Sequence, residues 1–189
     1  FSAVVLIFAP NYQNRKFYKL QFQFEQNSFD FNKVYSIPYD LSKAEKVKTC
    51  VMLGHSMGGY ITLAFAEKYG DMLTGFGLIN SQCYADSAEK KANRKKSIDF
   101  IKKHGTKPFV KELYPNLFNE AYLKQNKKVV NAMIAKAEKY TPEAVTAATA
   151  AMMNREDKTG RRRVRIHAIG FPVRPDAPQY TSIRFASLM

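Results

Sequence analysis

Residues that build disulfide frameworks and metal centres are scarce in this 189-residue sequence, which holds two cysteines and three histidines. Cys50 and Cys83 have no metal-ligand spacing and lie in or beside apolar runs, where a thiol behaves as a small hydrophobe. Plain core roles are expected for both, with no metal and no cofactor. Long apolar runs are missing too. The run from Ala3 to Pro10 is far too short to cross a bilayer and has no basic flank before it, so no membrane span is expected. Phe1 is not a methionine, which suggests that the true start is missing, so the lack of a leader says nothing about compartment. There is no internal repeat.

Acidic residues are the other shortage, 16 against 30 lysines and arginines, for a net charge of +14. Residues 1–86 contribute +1, residues 87–140 contribute +9 and residues 141–189 contribute +4. The excess therefore sits in the middle of the chain and in "KTGRRRVR". In "EKKANRKKSIDFIKK" lysines alternate with apolar residues at helical spacing, as on a solvated helix face. That stretch holds a single aromatic, Phe100, and so offers no base-stacking platform. A basic patch alone gives only non-specific attraction, and no nucleic-acid partner is expected. With 46% hydrophobic residues, the chain has the composition of a globular protein with one good-sized core.

What is present is most legible from Val47 onward. "TCVMLG" is a near-continuous apolar run, as in a strand covered on both faces. "MGGYITLAFAEKYGD" follows, with Ile61, Ala64, Phe65 and Tyr69 on one helical stripe and Gly70 placed as a C-terminal cap. "LTGFGLIN" is a second short apolar run. Strand, helix and strand within about thirty residues is the size of a βαβ unit. Upstream, "AVVLIF" reads as a buried strand, while the aromatic and polar stretch 13–33 has no clean periodicity and receives no assignment.

Residues 86–140 read as helical. Asp86 or Ser87 can cap a helix, Glu89 completes a capping box with Asp86, and Gly105 ends the helix. "KPFVKELYPNLF" reads as a connector broken by Pro108 and Pro115. The next helix sets Leu123, Val130, Met133, Ile134 and Ala137 on one face. Thr141 as N-cap and Pro142 at the first helical position open "PEAVTAATAAMMNRED", rich in helix-favouring alanine. Past Gly160 the only strand signal lies in "VRIHAIGFPV".

Gly54-His55-Ser56-Met57-Gly58 fits G-x-S-x-G, with Gly59 adding a further small residue. A nucleophilic serine must stand clear of its backbone, meet a base on one side and present an oxyanion to donors on the other. A tight strand-to-helix turn achieves this when small residues two before and two after let the chain bend. The pattern arises by chance in a chain this long about 6% of the time at ordinary glycine and serine frequencies. The strand before it and the amphipathic helix after it make chance a poor account.

From "CVMLGHSMGGY" through "KKHG" the sequence resembles an α/β-hydrolase of the esterase or lipase-like type, and the likeness runs over roughly 47–160. "GHSMGG" resembles that family's nucleophile elbow, and "TPEAVTAATAAMMNREDKTG" its helix returning from cap to core. The resemblance implies an α/β fold: a partial hydrolase core with a mostly parallel sheet and an inserted helical cap. Residues 1–85 would hold the first part of the core, 86–140 the cap, and 141–189 the return helix and the remaining core. It also implies Ser56 as nucleophile, the Met57 N–H as one oxyanion donor and a small-molecule acyl substrate. The cap would supply an apolar acyl pocket from residues such as Phe109, Leu113, Phe118 and Met133. A catalytically silent hydrolase-fold fragment is the alternative, and a basic binding module a third.

The family order places an acid after a later strand and then a histidine. "FPVRPDAPQ" resembles the acid-bearing loop and makes Asp176 the candidate acid. No histidine follows it, so the base has no assignable position. His55, adjacent to the serine, reads as packing or orienting; His104 reads as a surface residue; His167 precedes Asp176 and reads as a strand residue. Asp86 is an alternative acid position, better read as a helix cap. The histidine-glycine oxyanion loop is also not identifiable, since Ala9-Pro10 follows the first strand. The simplest reading of both ends is a chain incomplete or altered there, with a frame shift after Gly160, where the composition turns arginine-rich. The encoding DNA tests this: a frame without a restored strand, acid and histidine would overturn it.

Overall fold

Val5, Ile7 and Ala9 are buried while Phe8 is exposed, the two-residue period of a strand with one covered face. This is β1, Ala3–Ala9. The computed structural model describes residues 3–9, 16–22, 34–159, 165–170 and 182–187. The other strands are β2 (Lys16–Phe22), β3 (Cys50–His55), β4 (Leu73–Ile79), β5 (Arg165–Gly170) and β6 (Ser182–Ser187). They form one sheet in the order β2-β1-β3-β4-β6-β5.

Among the described residues only β3 and β4 pair in parallel, with Met52 opposite Phe76 and Gly54 opposite Leu78. The β1–β2, β1–β3, β4–β6 and β5–β6 pairs are antiparallel. The mostly parallel sheet expected from sequence is thus a mixed one among the described residues. A parallel pair needs a crossover of a dozen or more residues. The helix after β3 provides one, whereas residues 10–15 alone join β1 to β2 and permit only a reversal. The unassigned stretch 13–33 contains β2, whose Phe17 and Lys19 are exposed and Tyr18 and Leu20 half-buried. Phe17 also lies 4.9 Å from the Phe8 ring across the pair.

The described residues divide into two units, one of 3–9, 16–22, 34–85, 155–159, 165–170 and 182–187, the other of 86–154. The sheet unit includes the helices α1 (Ser36–Ala44) and α2 (Met57–Tyr69). Nine residues of α2 are buried, from Met57 to Ala66, with only Tyr60 omitted. This is wider than an amphipathic stripe and makes α2 a core helix. Its Ile61 and Phe65 are fully enclosed, as are Val5, Ile7, Met52, Phe76 and Leu78 from the strands. Tyr69 closes α2 by stacking on Tyr39 of α1 at 4.0 Å. Gly70 stands at the C-cap of α2 as expected, in a right-handed conformation with φ −55° and ψ −33°, and a 3-10 turn, Gly70–Met72, carries the chain into β4. Cys50 and Cys83 are buried, and neither is in a disulfide.

The second unit holds α3 (Ala88–His104), α4 (Thr106–Leu113), α5 (Glu120–Gln125), α6 (Lys127–Ala137) and α7 (Pro142–Asn154). Ser87 caps α3 by accepting from the Lys90 N–H at 3.3 Å, and Gly105, at φ 80°, ends it. Asp86 is not the cap; it is buried and pairs with Arg94 at 2.5 Å. The expected connector contains α4, because Pro108 falls in the first helical turn, where its missing N–H costs nothing. Pro115 then lies in the 3-10 turn Tyr114–Leu117. Asn119 caps α5 by accepting from the Tyr122 N–H at 2.8 Å, and Thr141 accepts from the Ala144 N–H at the start of α7. On α6, Val130 and Ala137 face inward as expected, but Met133 is exposed.

Candidate active site

Ser56 stands between the last residue of β3 and the first of α2 with φ 52° and ψ −119°. A left-handed φ is sparse for a residue with a side chain. Two backbone hydrogen bonds hold it: the Ser56 N–H donates to the Ile79 carbonyl at 2.9 Å, and the Gly59 N–H donates to the Ser56 carbonyl at 3.0 Å. The first ties the turn to the adjacent parallel strand β4.

The glycines are set by close approach. A Cβ on Gly54 would lie 2.5 Å from both the Gly58 carbonyl and the Thr62 hydroxyl, and a Cβ on Gly58 would meet the Val4 carbonyl of β1. Residues two before and two after Ser56 therefore share one contact, where strand and helix cross with no room for a methyl group. Thr62 fills the next layer, donating to the Gly58 carbonyl at 3.0 Å. As a result the Ser56 side chain is exposed while Met57, Gly58 and Gly59 are buried. The Met57 N–H opens α2, where first-turn amides lack helical acceptors and the dipole favours negative charge.

Around the serine the structure adds residues that the motif did not name. Asn80, at φ 47°, follows β4 and brings its amide nitrogen 3.5 Å from Nε2 of His55. Burial pushes the His55 imidazole below its ordinary value, which favours the neutral ring. The Ser81 hydroxyl is buried without a hydrogen-bond partner among the described residues and lies where a Cβ on Gly59 would fall. Both residues follow the carboxyl end of β4, beside the Ser56 turn. Ligands of open α/β sheets collect at the carboxyl ends of strands, a positional signal that "LIN" followed by Ser81 already carried. A strap, residues 155–159, completes the surroundings of α2. The Arg155 guanidinium lies 4.4 Å from the centre of the Tyr60 ring and donates to the Tyr84 carbonyl at 3.0 Å. Lys158 pairs with Glu67 at 2.6 Å and Glu156 at 2.8 Å.

Among the described residues the Ser56 hydroxyl makes no hydrogen bond to a base. His104 ends α3, its ring 4.7 Å from Phe100. His167 lies on β5, opposite Phe185 of β6. Asp176 lies outside the described residues. Phe109, Leu113 and Phe118 are half-buried in the helical unit, and Phe118 stacks on Tyr122. Among the described residues no group of three or more His, Cys, Asp or Glu side chains could hold a metal ion, and no helix is long and apolar enough to cross a membrane.

The family model of the Ndr family matches residues 38–171, which include the Ser56 turn, the helical unit and β5. The chain belongs to the Ndr family. Solved structures similar to this Ndr-family chain are α/β-hydrolases. A thermophilic esterase from Thermogutta terrifontis, solved with malate bound, is 27% identical with a TM-score of 0.63, covering 74% of this chain and 51% of that one. A carboxylesterase structure from the ammonia-oxidizing thaumarchaeon Nitrososphaera gargenis is 16% identical with a TM-score of 0.58, covering 74% and 53%. A hydrolase from Pseudomonas aeruginosa is 15% identical with a TM-score of 0.62, covering 75% and 55%. The chain thus has the α/β-hydrolase fold and spans about half the length of these structures. No curated protein sequence matches significantly.

Proposed function

We propose that this chain acts as a serine hydrolase on small carboxylic esters or related acyl compounds. The observation that carries the reading is Ser56, held at φ 52° at a strand-to-helix turn and exposed above a buried glycine crossing. A turn of this kind costs roughly 1–3 kcal/mol of backbone strain. An inert surface serine has no use for it, whereas a nucleophile needs it. In the reaction the Ser56 hydroxyl oxygen adds to the acyl carbonyl carbon while a histidine takes its proton. The carbonyl electron pair moves onto oxygen, where the Met57 N–H and the α2 dipole stabilise it. Collapse expels the alcohol, protonated by the histidine, and water then releases the acid from the acyl-serine. Asp176 is the acid that orients the histidine in this proposal. Residues 86–140 serve as the family's helical cap. Esterases among the similar structures support acyl-ester chemistry.

A second reading, a catalytically silent hydrolase fold, is favoured by the lack of a base on the Ser56 hydroxyl among the described residues. A fluorophosphonate probe and a short-chain aryl ester separate the two readings when applied to the native chain and to Ser56→Ala. Labelling and turnover that vanish in Ser56→Ala support the hydrolase. A native chain that neither labels nor turns over the ester supports the silent fold. Asp176→Asn should leave a chain that labels several powers of ten more slowly if Asp176 orients the base.

A further inference from the structure

Helix α6 reads "KKVVNAMIAKA" and carries three lysines and no carboxylate. Its inward face is spent on Val130 and Ala137, which are buried. Its outward face is still apolar: Val129 is 45% exposed and Met133 44%, with Ala132 exposed beside them. Lys128, Val129, Ala132, Met133 and Lys136 line a single shallow, open depression of about 490 Å³. The two lysines stand two turns apart, at either end of the apolar surface. Their aliphatic stems can lie along it while the ammonium groups reach outward.

We propose that this face of α6 docks on a membrane surface that bears anionic phospholipid. Charge complementarity selects the occupant. An apolar strip bracketed by lysines, on a helix without acidic residues, matches the boundary between acyl chains and anionic headgroups. The surrounding segment 87–140 has a net charge of +9 and supplies attraction at longer range. A docked peptide helix needs a groove with two walls, and all five lining residues come from one helix. The face lies in the plane of the interface and crosses nothing, consistent with the absence of a spanning helix among the described residues. This docking does not depend on whether Ser56 is a nucleophile.

The test uses the full chain and vesicles of phosphatidylcholine with or without roughly 30 mol% phosphatidylserine. Co-sedimentation is expected with the anionic vesicles only, and it should weaken as salt rises. Val129→Ser/Met133→Ser, which alters no charge, should lower the bound fraction at least about fivefold. Lys128→Gln/Lys136→Gln should do the same. Lys95→Gln/Lys96→Gln, an equal charge loss on α3, should bind nearly as the native chain does. Circular dichroism melts check that each variant is folded. Because the sequence has no tryptophan, Val129→Trp gives a sole reporter whose emission should shift to the blue on anionic vesicles and be quenched by brominated lipid. Equal binding by Val129→Ser/Met133→Ser, or unshifted Val129→Trp emission on bound vesicles, overturns the proposal and reduces the binding to bulk charge. A blue shift that grows with protein concentration and needs no vesicle overturns it in favour of self-association.

Discussion

Ser56 is a serine where the backbone would accept glycine at lower cost. Its φ of 52° lies in the left-handed region, and the strain is local, since two hydrogen bonds and the glycine crossing hold the turn whatever the side chain. Ser56→Gly should therefore raise stability by about 1 kcal/mol, a rise in Tm of about 2–4 °C at this chain length. Fluorophosphonate labelling should be lost in the same variant. A calorimetric Tm at or below that of the native chain would show that the turn is not strained by its serine. His55 supplies a second prediction. Its imidazole is held below the ordinary 6.5 by burial, so the unfolded chain takes up a proton at a higher pH than the folded one. Its contribution to stability is complete above about pH 6.5 and is lost as pH falls toward the lower folded value. His55→Gln should make the urea midpoint fall less between about pH 7 and pH 5 than in the native chain. Parallel falls would assign the acid sensitivity to other groups.

At the scale of elements, the helix borders were largely written in short-range signals. Ser87, Gly105 and Thr141 act where local hydrogen-bonding rules place them, since a cap is satisfied within three or four residues of itself. Gly70 holds the C-cap of α2 in a right-handed conformation and leads into a 3-10 turn. Asp86 broke the pattern because a partner eight residues on competes with the cap role. Arg94, one quarter exposed, holds the fully buried Asp86 side chain at 2.5 Å and also reaches the Met152 sulfur of α7 at 3.5 Å. Truncating one side of such a pair strands a charge in low dielectric. Arg94→Met should cost about 3–5 kcal/mol in urea unfolding, and Asp86→Leu/Arg94→Met should recover most of that loss. If Arg94→Met cost less than about 1 kcal/mol, the pair would behave as a surface ion pair.

At the scale of the whole molecule the sheet protects what its central strand carries. Cys50 is fully buried on β3, and burial pushes its thiol up to about 11. At about pH 8 only on the order of a thousandth of such a thiol is ionised, so alkylation should follow unfolding rather than thiol chemistry. Iodoacetamide labelling of Cys50, followed by mass spectrometry along a urea gradient, should track the circular dichroism transition. Labelling at the rate of an exposed peptide thiol in native buffer would place Cys50 outside the core.

The sequence by itself determined the tight strand-to-helix turn at Ser56, the β3-α2-β4 unit, the helical character of 86–140 and, through resemblance, the α/β-hydrolase fold. Each rests on spacing within a few turns of chain. Tertiary structure alone decided that β2 and β6 are strands, that four of the five strand pairs among the described residues run antiparallel, and that Met133 faces outward while Val130 faces in. Strand pairing is settled by hydrogen bonds to residues far away in sequence, and a helix face by what packs against it. The same reasoning separates the serine from its surroundings. "GHSMGG" placed Ser56 at a tight turn from local geometry, whereas Asn80 beside His55 and the Ser81 hydroxyl against Gly59 exist as neighbours only because β4 lies alongside β3.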